Sequence, residues 1–129
     1  MNTMLRCALV AVAGATLVAS AQAQVLRSFP AQALRGVMVV QQPPEVTMND
    51  LAARLSPGAR IRAENNMLLL SGALVGQRLV VNYTLETHGL IHNVWILTTD
   101  EVAKQPWPTT PEQAQRWLFD VDAQTWTRR

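Results

Sequence analysis

The clearest alternation of apolar and polar positions lies between residues 78 and 87. Leu79, Val81, Tyr83 and Leu85 fall on one face, and Val80, Asn82, Thr84 and Glu86 fall on the other. Because side chains alternate between the two faces of a β-strand, this segment is predicted to be a half-buried strand. A second strand is predicted over Leu90–Thr99, after the two-residue loop His88-Gly89. In that register the facing pairs are Leu85 with His92, Tyr83 with Val94, Asn82 with Trp95, and Val81 with Ile96.

A second hairpin is predicted from two shorter apolar segments, Ala59–Glu64 and Met67–Ser71. They flank Asn65-Asn66, and asparagine tolerates the positive φ angles of a two-residue hairpin turn. This turn places Ile61 opposite Leu70. The other face of the hairpin then carries Arg60, Arg62, Glu64, Met67 and Leu69.

Apolar positions spaced by three and four residues predict a short helix that begins at Thr47, the first residue of a weak capping box. Its apolar face consists of Met48, Leu51, Ala52 and Leu55. Ser56-Pro57-Gly58 ends it.

A second helix is predicted to begin at Thr110-Pro111, with threonine as N-cap and proline in the first turn. Ala114, Trp117 and Leu118 give it a narrow apolar stripe. Residues 120–129 are interpreted as a possible terminal extension, with a short strand near Trp126.

Together these elements predict a small α+β domain. The β-branched segment Gly36–Val40 adds one more strand, which ends before Pro43-Pro44 because proline lacks the N–H of a sheet ladder. The expected core is an antiparallel meander of about four strands, with one short helix before it and one after it. A small, partly open β-barrel is the alternative.

Residues 1–23 have the features of a secretory signal peptide: Arg6, then the apolar run Ala8–Ala19, then the small-residue site Ala21-Gln22-Ala23. The run is shorter than the roughly 20 residues that span a bilayer as a helix, so no membrane span is expected after cleavage. Cleavage after Ala23 leaves residues 24–129 as a single domain. The alanine-rich signal and the preference for arginine over lysine favour export to the periplasm or the exterior of a bacterial cell.

Composition and charge narrow the class of protein. Hydrophobic residues make up 49% and charged residues 16% of the chain, which is typical of a globular domain. The formal net charge of +2 is too small to indicate a phosphate-binding surface, so no nucleic-acid partner is predicted. The single cysteine, Cys7, leaves with the signal peptide. The exported domain is therefore expected to have neither a disulfide nor thiol chemistry.

Glu86, His88 and His92 are the candidate metal ligands, because carboxylate and imidazole groups bind zinc or copper. The predicted register places His92 on the face opposite Glu86, which favours a polar hairpin tip, and no metal or cofactor is predicted. Ser28, Ser56 and Ser71 are the candidate serine nucleophiles of the exported domain. None lies in a nucleophile-elbow motif, so catalysis is not favoured.

Three of the four tryptophans, Trp107, Trp117 and Trp126, lie near the C-terminus. They either close the open face of the sheet or form a surface that stacks on sugar rings or anchors a protein partner. A second candidate surface combines arginine with apolar side chains, as interfaces often do. The candidate binding-surface residues are Arg60, Arg62, Met67, Leu69, Trp95 and Trp107.

The sequence as a whole predicts an exported, non-catalytic binding or protein-interaction module whose partner is an unknown envelope protein or a glycan. The alternative is a small metal-binding protein or exported enzyme that uses Glu86, His88 and His92.

Overall fold

The computed structural model describes residues 27–129 and Gly14, so the predicted signal peptide lies almost entirely outside the described residues. The strands are β1 Leu34–Val40, β2 Glu45–Met48, β3 Leu51–Arg62, β4 Leu68–Leu69, β5 Arg78–Leu85, β6 Ile91–Ile96, β7 Leu118–Asp120 and β8 Thr125–Thr127. The short helices are α1 Thr99–Val102 and α2 Pro111–Arg116, and a 3₁₀ turn covers Ser71–Leu74. Within the described part of the chain, no helix is both long and apolar enough to cross a bilayer.

Five of the strands close into a small barrel. The sheet order is β2-β1-β5-β6-β3-β4, and a further pairing of β2 with β3 closes a ring of five strands that leaves β4 outside it at the edge. The pairing of β3 with β6 is parallel, whereas the other pairings are antiparallel. The alternative of a small barrel is therefore confirmed, although the ring of five strands is closed where a partly open one was predicted. A simple meander does not describe the sheet, because β6 pairs with β3 across the barrel as well as with its sequence neighbour β5.

The helix predicted from Thr47 is wrong, because β2 and β3 form a hairpin there. Asn49 and Asp50 have φ angles of 53° and 65°, and Met48 pairs with Leu51 on either side of them. Two consecutive residues with positive φ form the type I′ turn that matches the twist of a hairpin. Thr47 and Asp50, the first and last residues of the weak capping box, belong instead to strand β2 and to the tight turn.

The β3–β4 hairpin forms as predicted but with a longer loop. Ala63 makes two backbone hydrogen bonds across the loop. Its N–H donates to Met67 O at 2.8 Å, and its carbonyl accepts a hydrogen bond from Asn66 N at 2.8 Å. Asn66 takes the left-handed conformation, with φ at 69°. The register shifts by one residue, so the facing pairs are Ile61 with Leu69 and Arg62 with Leu68.

A one-residue shift moves every side chain of a strand to the opposite face. Leu69 therefore shares the face of Ile61, and Leu68 takes the place beside Arg62 that was predicted for Leu69.

The β5–β6 hairpin has the predicted register over most of its length. Val81 faces Ile96, Asn82 faces Trp95, and Tyr83 faces Val94. The ladder is irregular beyond Tyr83, where Leu85 faces Ile91 and not His92.

Apolar side chains form two cores, one inside the barrel and one on its outer face. The barrel interior contains Leu34, Met38, Val40, Val46, Met48, Leu55, Ile61, Leu74, Val81, Tyr83, Ile91 and Val94. The outer core contains Phe29, Ala33, Leu97, Trp107 and Trp126, with Trp95, Trp117 and Phe119 packed against it. The C-terminal segment therefore covers part of the barrel wall.

The C-terminal helix begins as predicted. The Thr110 hydroxyl accepts a hydrogen bond from Gln113 N at 3.3 Å, and Pro111 is the first helical residue. The helix ends at Arg116, so Trp117 is its C-cap and Leu118 lies in β7. The predicted stripe is thus divided between a helix, its cap and a strand. The expected short strand near Trp126 is present as β8.

Candidate binding surfaces

Four consecutive apolar residues are exposed at the end of the β3–β4 hairpin. The exposed fractions are 65% for Met67, 58% for Leu68, 36% for Leu69 and 82% for Leu70. Strand β4 pairs with β3 on one side, and no described strand pairs with its other side. Exposed apolar side chains on an open strand edge mark a site of interaction with another chain.

Arginines lie beside this apolar edge. Arg62 pairs with Leu68 on one side and with Trp95 of β6 on the other, so the three residues form a row across adjacent strands. Arg60 lies two residues earlier on the same face. Here the structure brings together Arg60, Arg62 and Trp95, whereas the register shift turns both Met67 and Leu69 toward the other side of the hairpin.

A groove of about 380 Å³ runs along the other side of the hairpin. Its apolar walls include Leu55, Ile61 and Leu69, with Pro44 and Pro57 at its rim. The groove exists because β3 bends between Leu55 and Arg60, where its pairing with β6 is irregular. It is large enough for one or two apolar side chains of a partner.

Trp107 lies apart from this hairpin, in the outer core. It is 5% exposed, and its Nε1 donates a hydrogen bond to Ala33 O at 3.0 Å. Its ring makes edge-to-face contacts with Phe29 at 5.9 Å and with Trp126 at 6.1 Å between centroids. Such contacts support the interpretation that these tryptophans close the sheet. Trp107 and Trp126 both line a shallow pocket of about 710 Å³, but each is only 5% exposed, so little of either ring is open to a stacking sugar.

A buried arginine joins the barrel to the outer core. Arg35 Nε donates to Asn82 Oδ1 at 3.1 Å. Its other two nitrogens donate to the backbone carbonyls of residues 101, 102 and 104. Its guanidinium carbon lies 4.8 Å from the centroid of the Trp107 ring. Burial lowers the pKa of Arg35 to about 10, although the charge of Glu101 acts in the opposite direction. Arg35 is therefore still protonated at neutral pH, and its contacts are structural.

The metal-ligand candidates are separated in the structure. Glu86 Oε1 accepts backbone hydrogen bonds from His88 at 2.7 Å and Leu90 at 3.2 Å, so it holds the β5–β6 loop. His88 is exposed at the hairpin tip, whereas the His92 ring bonds Ser56. Across residues 27–129, no three His, Cys, Asp or Glu side chains lie close enough to hold a metal ion.

The contact between Ser56 and His92 was missed by sequence reasoning. Ser56 Oγ lies 2.9 Å from His92 Nδ1, and Ser56 is 8% exposed. A serine hydroxyl bonded to an imidazole is the first half of a nucleophile and base pair. No carboxylate in the described part of the chain bonds the His92 ring to orient it. The two residues meet through the parallel pairing of β3 with β6, which no local motif indicates.

No protein-family model, curated protein sequence or solved structure matches this chain. The surfaces themselves are therefore the basis for a functional proposal.

Proposed function

We propose that this chain is an exported, non-catalytic protein-interaction module, and that the open edge of the β3–β4 hairpin is its docking surface. The observation that carries the proposal is the exposure of Met67–Leu70 on a strand whose second edge is unpaired. Fully burying one leucine side chain stabilises a complex by about 1.5–3 kcal/mol. Leu68 and Leu70 alone therefore supply a useful part of the free energy of binding.

The export part of the proposal rests on the sequence features of residues 1–23. A protein of the cell envelope is accordingly the proposed partner. A glycan is less well supported, because Trp107 and Trp126 are engaged in the outer core.

A photo-crosslinking amino acid at position 68, introduced in the source bacterium, tests the docking surface. We expect a discrete protein adduct from position 68 and none from position 121, since Val121 is similarly exposed, at 62%, but lies at the β7–β8 turn. Adding Leu70→Ser should remove the adduct. Equal adducts from both positions, or none from position 68, would contradict the proposal.

A hydrolase is the second candidate, and the Ser56–His92 hydrogen bond is the observation that favours it. An aryl fluorophosphonate labels an activated serine: Oγ attacks phosphorus, fluoride leaves, and the imidazole takes the hydroxyl proton. The non-catalytic proposal predicts no labelling of the folded protein. Labelling that is lost in both Ser56→Ala and His92→Gln would replace it with the hydrolase.

A further inference from the structure

We propose that the β3–β4 edge binds an extended peptide segment in which apolar residues alternate with glutamate, an inference that rests on the docking surface proposed above. Four properties of the edge lead to this partner chemistry. They are the backbone groups on the unpaired side of β4, the groove on one face, Leu68 on the other face, and the arginines behind Leu68.

The free edge of β4 requires an extended partner. Main-chain N–H and C=O groups of an edge strand can pair with an added strand, which supplies affinity through a backbone ladder. The side chains of the added strand alternate between the two faces of the hairpin. Its sequence should therefore have a period of two, with a different chemistry on each face.

On the groove face, the partner meets uncharged walls, in which Ser56 and Ser71 lie among apolar side chains. Ile61 and Leu69 face each other across β3 and β4, and Leu55 lies in the wall beside them. No charged side chain lines this groove. Apolar side chains of the partner are therefore favoured at alternate positions on this face.

On the opposite face, the partner meets leucine first and arginine behind it. Its side chains lie beside Leu68, and Arg60 and Arg62 lie on the next strand, whereas Leu70 lines the groove. Within residues 27–129 the ion pairs are Arg27–Glu101, Arg54–Glu45 and Arg78–Asp50, so neither arginine has a carboxylate partner. The one hydrogen bond found for the Arg62 side chain is to Asn66 O, at 3.5 Å.

Glutamate suits this face better than a shorter acid. Its methylene groups cover leucine while its carboxylate reaches the neighbouring strand, where arginine forms short, charge-assisted hydrogen bonds with carboxylates. Such pairs mainly give specificity and speed of association.

A lipid surface fits this edge less well, although it could also attract leucine and arginine. Open sheet edges do not enter the hydrocarbon layer, because their backbone groups would lose hydrogen bonds. Leu69 also faces away from Leu68, so the apolar residues do not form a single face that inserts.

A second copy of the chain fits less well for a different reason. Strand β4 has only two residues, so two copies joined edge to edge would share a very short ladder. A stable interface usually buries about 1,200–2,000 Å². A longer peptide can continue past β4 along the groove and gain contacts that a second β4 cannot.

Two matched peptides test the inference with residues 24–129 as the binding protein. One alternates leucine with glutamate, the other leucine with lysine, and binding is measured by fluorescence anisotropy. We expect the glutamate peptide to bind at least tenfold more tightly. In the double variant Arg60→Glu, Arg62→Glu the preference should reverse. The control Arg116→Glu, Arg129→Glu has the same net charge, and both of its exposed residues lie outside the hairpin, so it should retain the original preference.

Several results would overturn the inference. They are equal binding of the two peptides, an unchanged preference in the hairpin variant, and an equal reversal in the control variant. Preferential binding to phosphatidylglycerol vesicles, or a dimer in sedimentation that Leu68→Ser dissociates, would replace the peptide by a lipid surface or a second copy. The crosslinking experiment at position 68 does not use these peptides. If the peptide experiment fails, the docking surface itself is therefore still tested by the crosslinking result.

Discussion

At the scale of single residues, the contact between Arg27 and Glu101 is the most consequential ionic interaction. Their side chains are 4% and 12% exposed, and Arg27 also donates to Ala63 O at 2.9 Å and to Ile96 O at 2.8 Å. Burial by itself raises the pKa of Glu101, but hydrogen bonds from Arg27 and Thr98 and the charge of Arg27 outweigh it. The pKa of Glu101 therefore lies below its ordinary value of 4.5.

A carboxylate with a lowered folded-state pKa stabilises the protein above its ordinary pKa, and this contribution is lost as pH falls through the folded value. We expect Glu101→Gln to lower the free energy of unfolding at pH 7 by about 1–3 kcal/mol, since it removes the charge from hydrogen bonds to Arg27. The difference from wild type should shrink as the pH falls below the ordinary carboxyl pKa of 4.5. Urea unfolding from pH 7 down through this value measures it.

Glu112→Gln, which changes an exposed carboxylate in α2, is the control. It should change the free energy of unfolding little, both at pH 7 and in acid. A Glu101→Gln difference that stays constant on acidification would show that the ionised carboxylate does not provide this stability.

At the scale of elements, the strands with a clear period of two were predicted from the sequence. Strand β2 and the start of β3 were missed, because the turn between them resembles the start of a helix. The register of Val81, Asn82 and Tyr83 in the β5–β6 hairpin is confirmed. The segment from Thr47 was mistaken for a helix because an apolar spacing of three and four also arises when two strands meet at a tight turn. The signal for the hairpin was Asn49-Asp50, two residues that tolerate positive φ.

The order of stability of two variants at Asp50, one with glycine and one with alanine, distinguishes the hairpin from the predicted helix. At a φ of 65°, alanine is strained by about 1–2 kcal/mol and glycine is not. We expect Asp50→Gly to be more stable than Asp50→Ala by about 1 kcal/mol. In a helix interior the order would be reversed by a similar amount. Thermal unfolding of both variants provides the measurement.

The same pair of substitutions at Asp100, which lies in α1, is the control and should favour alanine. If Asp50→Ala is more stable than Asp50→Gly, the result would contradict the hairpin and support the helix predicted from the sequence.

The docking surface was predicted only in part, because it depends on the β3–β4 loop. The pattern indicated that Arg60 and Arg62 share a face with exposed apolar residues. The pattern placed Leu69 on that face, whereas the structure places Leu68 there. The difference arises because the loop is one residue longer than expected, which shifts the register. Contacts between distant strands, such as Ser56 with His92, have no local sequence signal at all.

At the scale of the whole molecule, the two ends of the described chain are bound to each other. Phe29 N donates to Gln124 Oε1 at 2.7 Å, and Gln124 Nε2 donates to Phe29 O at 3.4 Å. Both residues are buried, and Phe29 packs on Trp107 in the outer core. The mature N-terminus predicted at Gln24 lies only a few residues before this attachment. Removal of residues 1–23 therefore leaves the attachment intact.

Export can be tested on the intact chain. When the full-length protein is produced in a bacterium, we expect a periplasmic or secreted form whose N-terminal sequence begins at Gln24. Ala21→Phe together with Ala23→Phe should block cleavage, because signal peptidase sites require small residues. A Cys7→Ser variant is the control and should be processed normally. A cytoplasmic protein that retains Met1 would contradict the proposal.

The closure of the barrel also governs how quickly the chain folds. Strand β1 pairs with β5, so that Leu34 faces Tyr83, and β3 pairs with β6 although β4, the 3₁₀ turn and β5 lie between them along the chain. Domains dominated by such sequence-distant pairings fold in roughly milliseconds to seconds, much more slowly than helical bundles, because loop entropy is lost before the contacts form. If the chain is exported behind a signal peptide, slow folding is an advantage. In that case the polypeptide would stay extended long enough to cross the membrane, and the barrel would close on the far side.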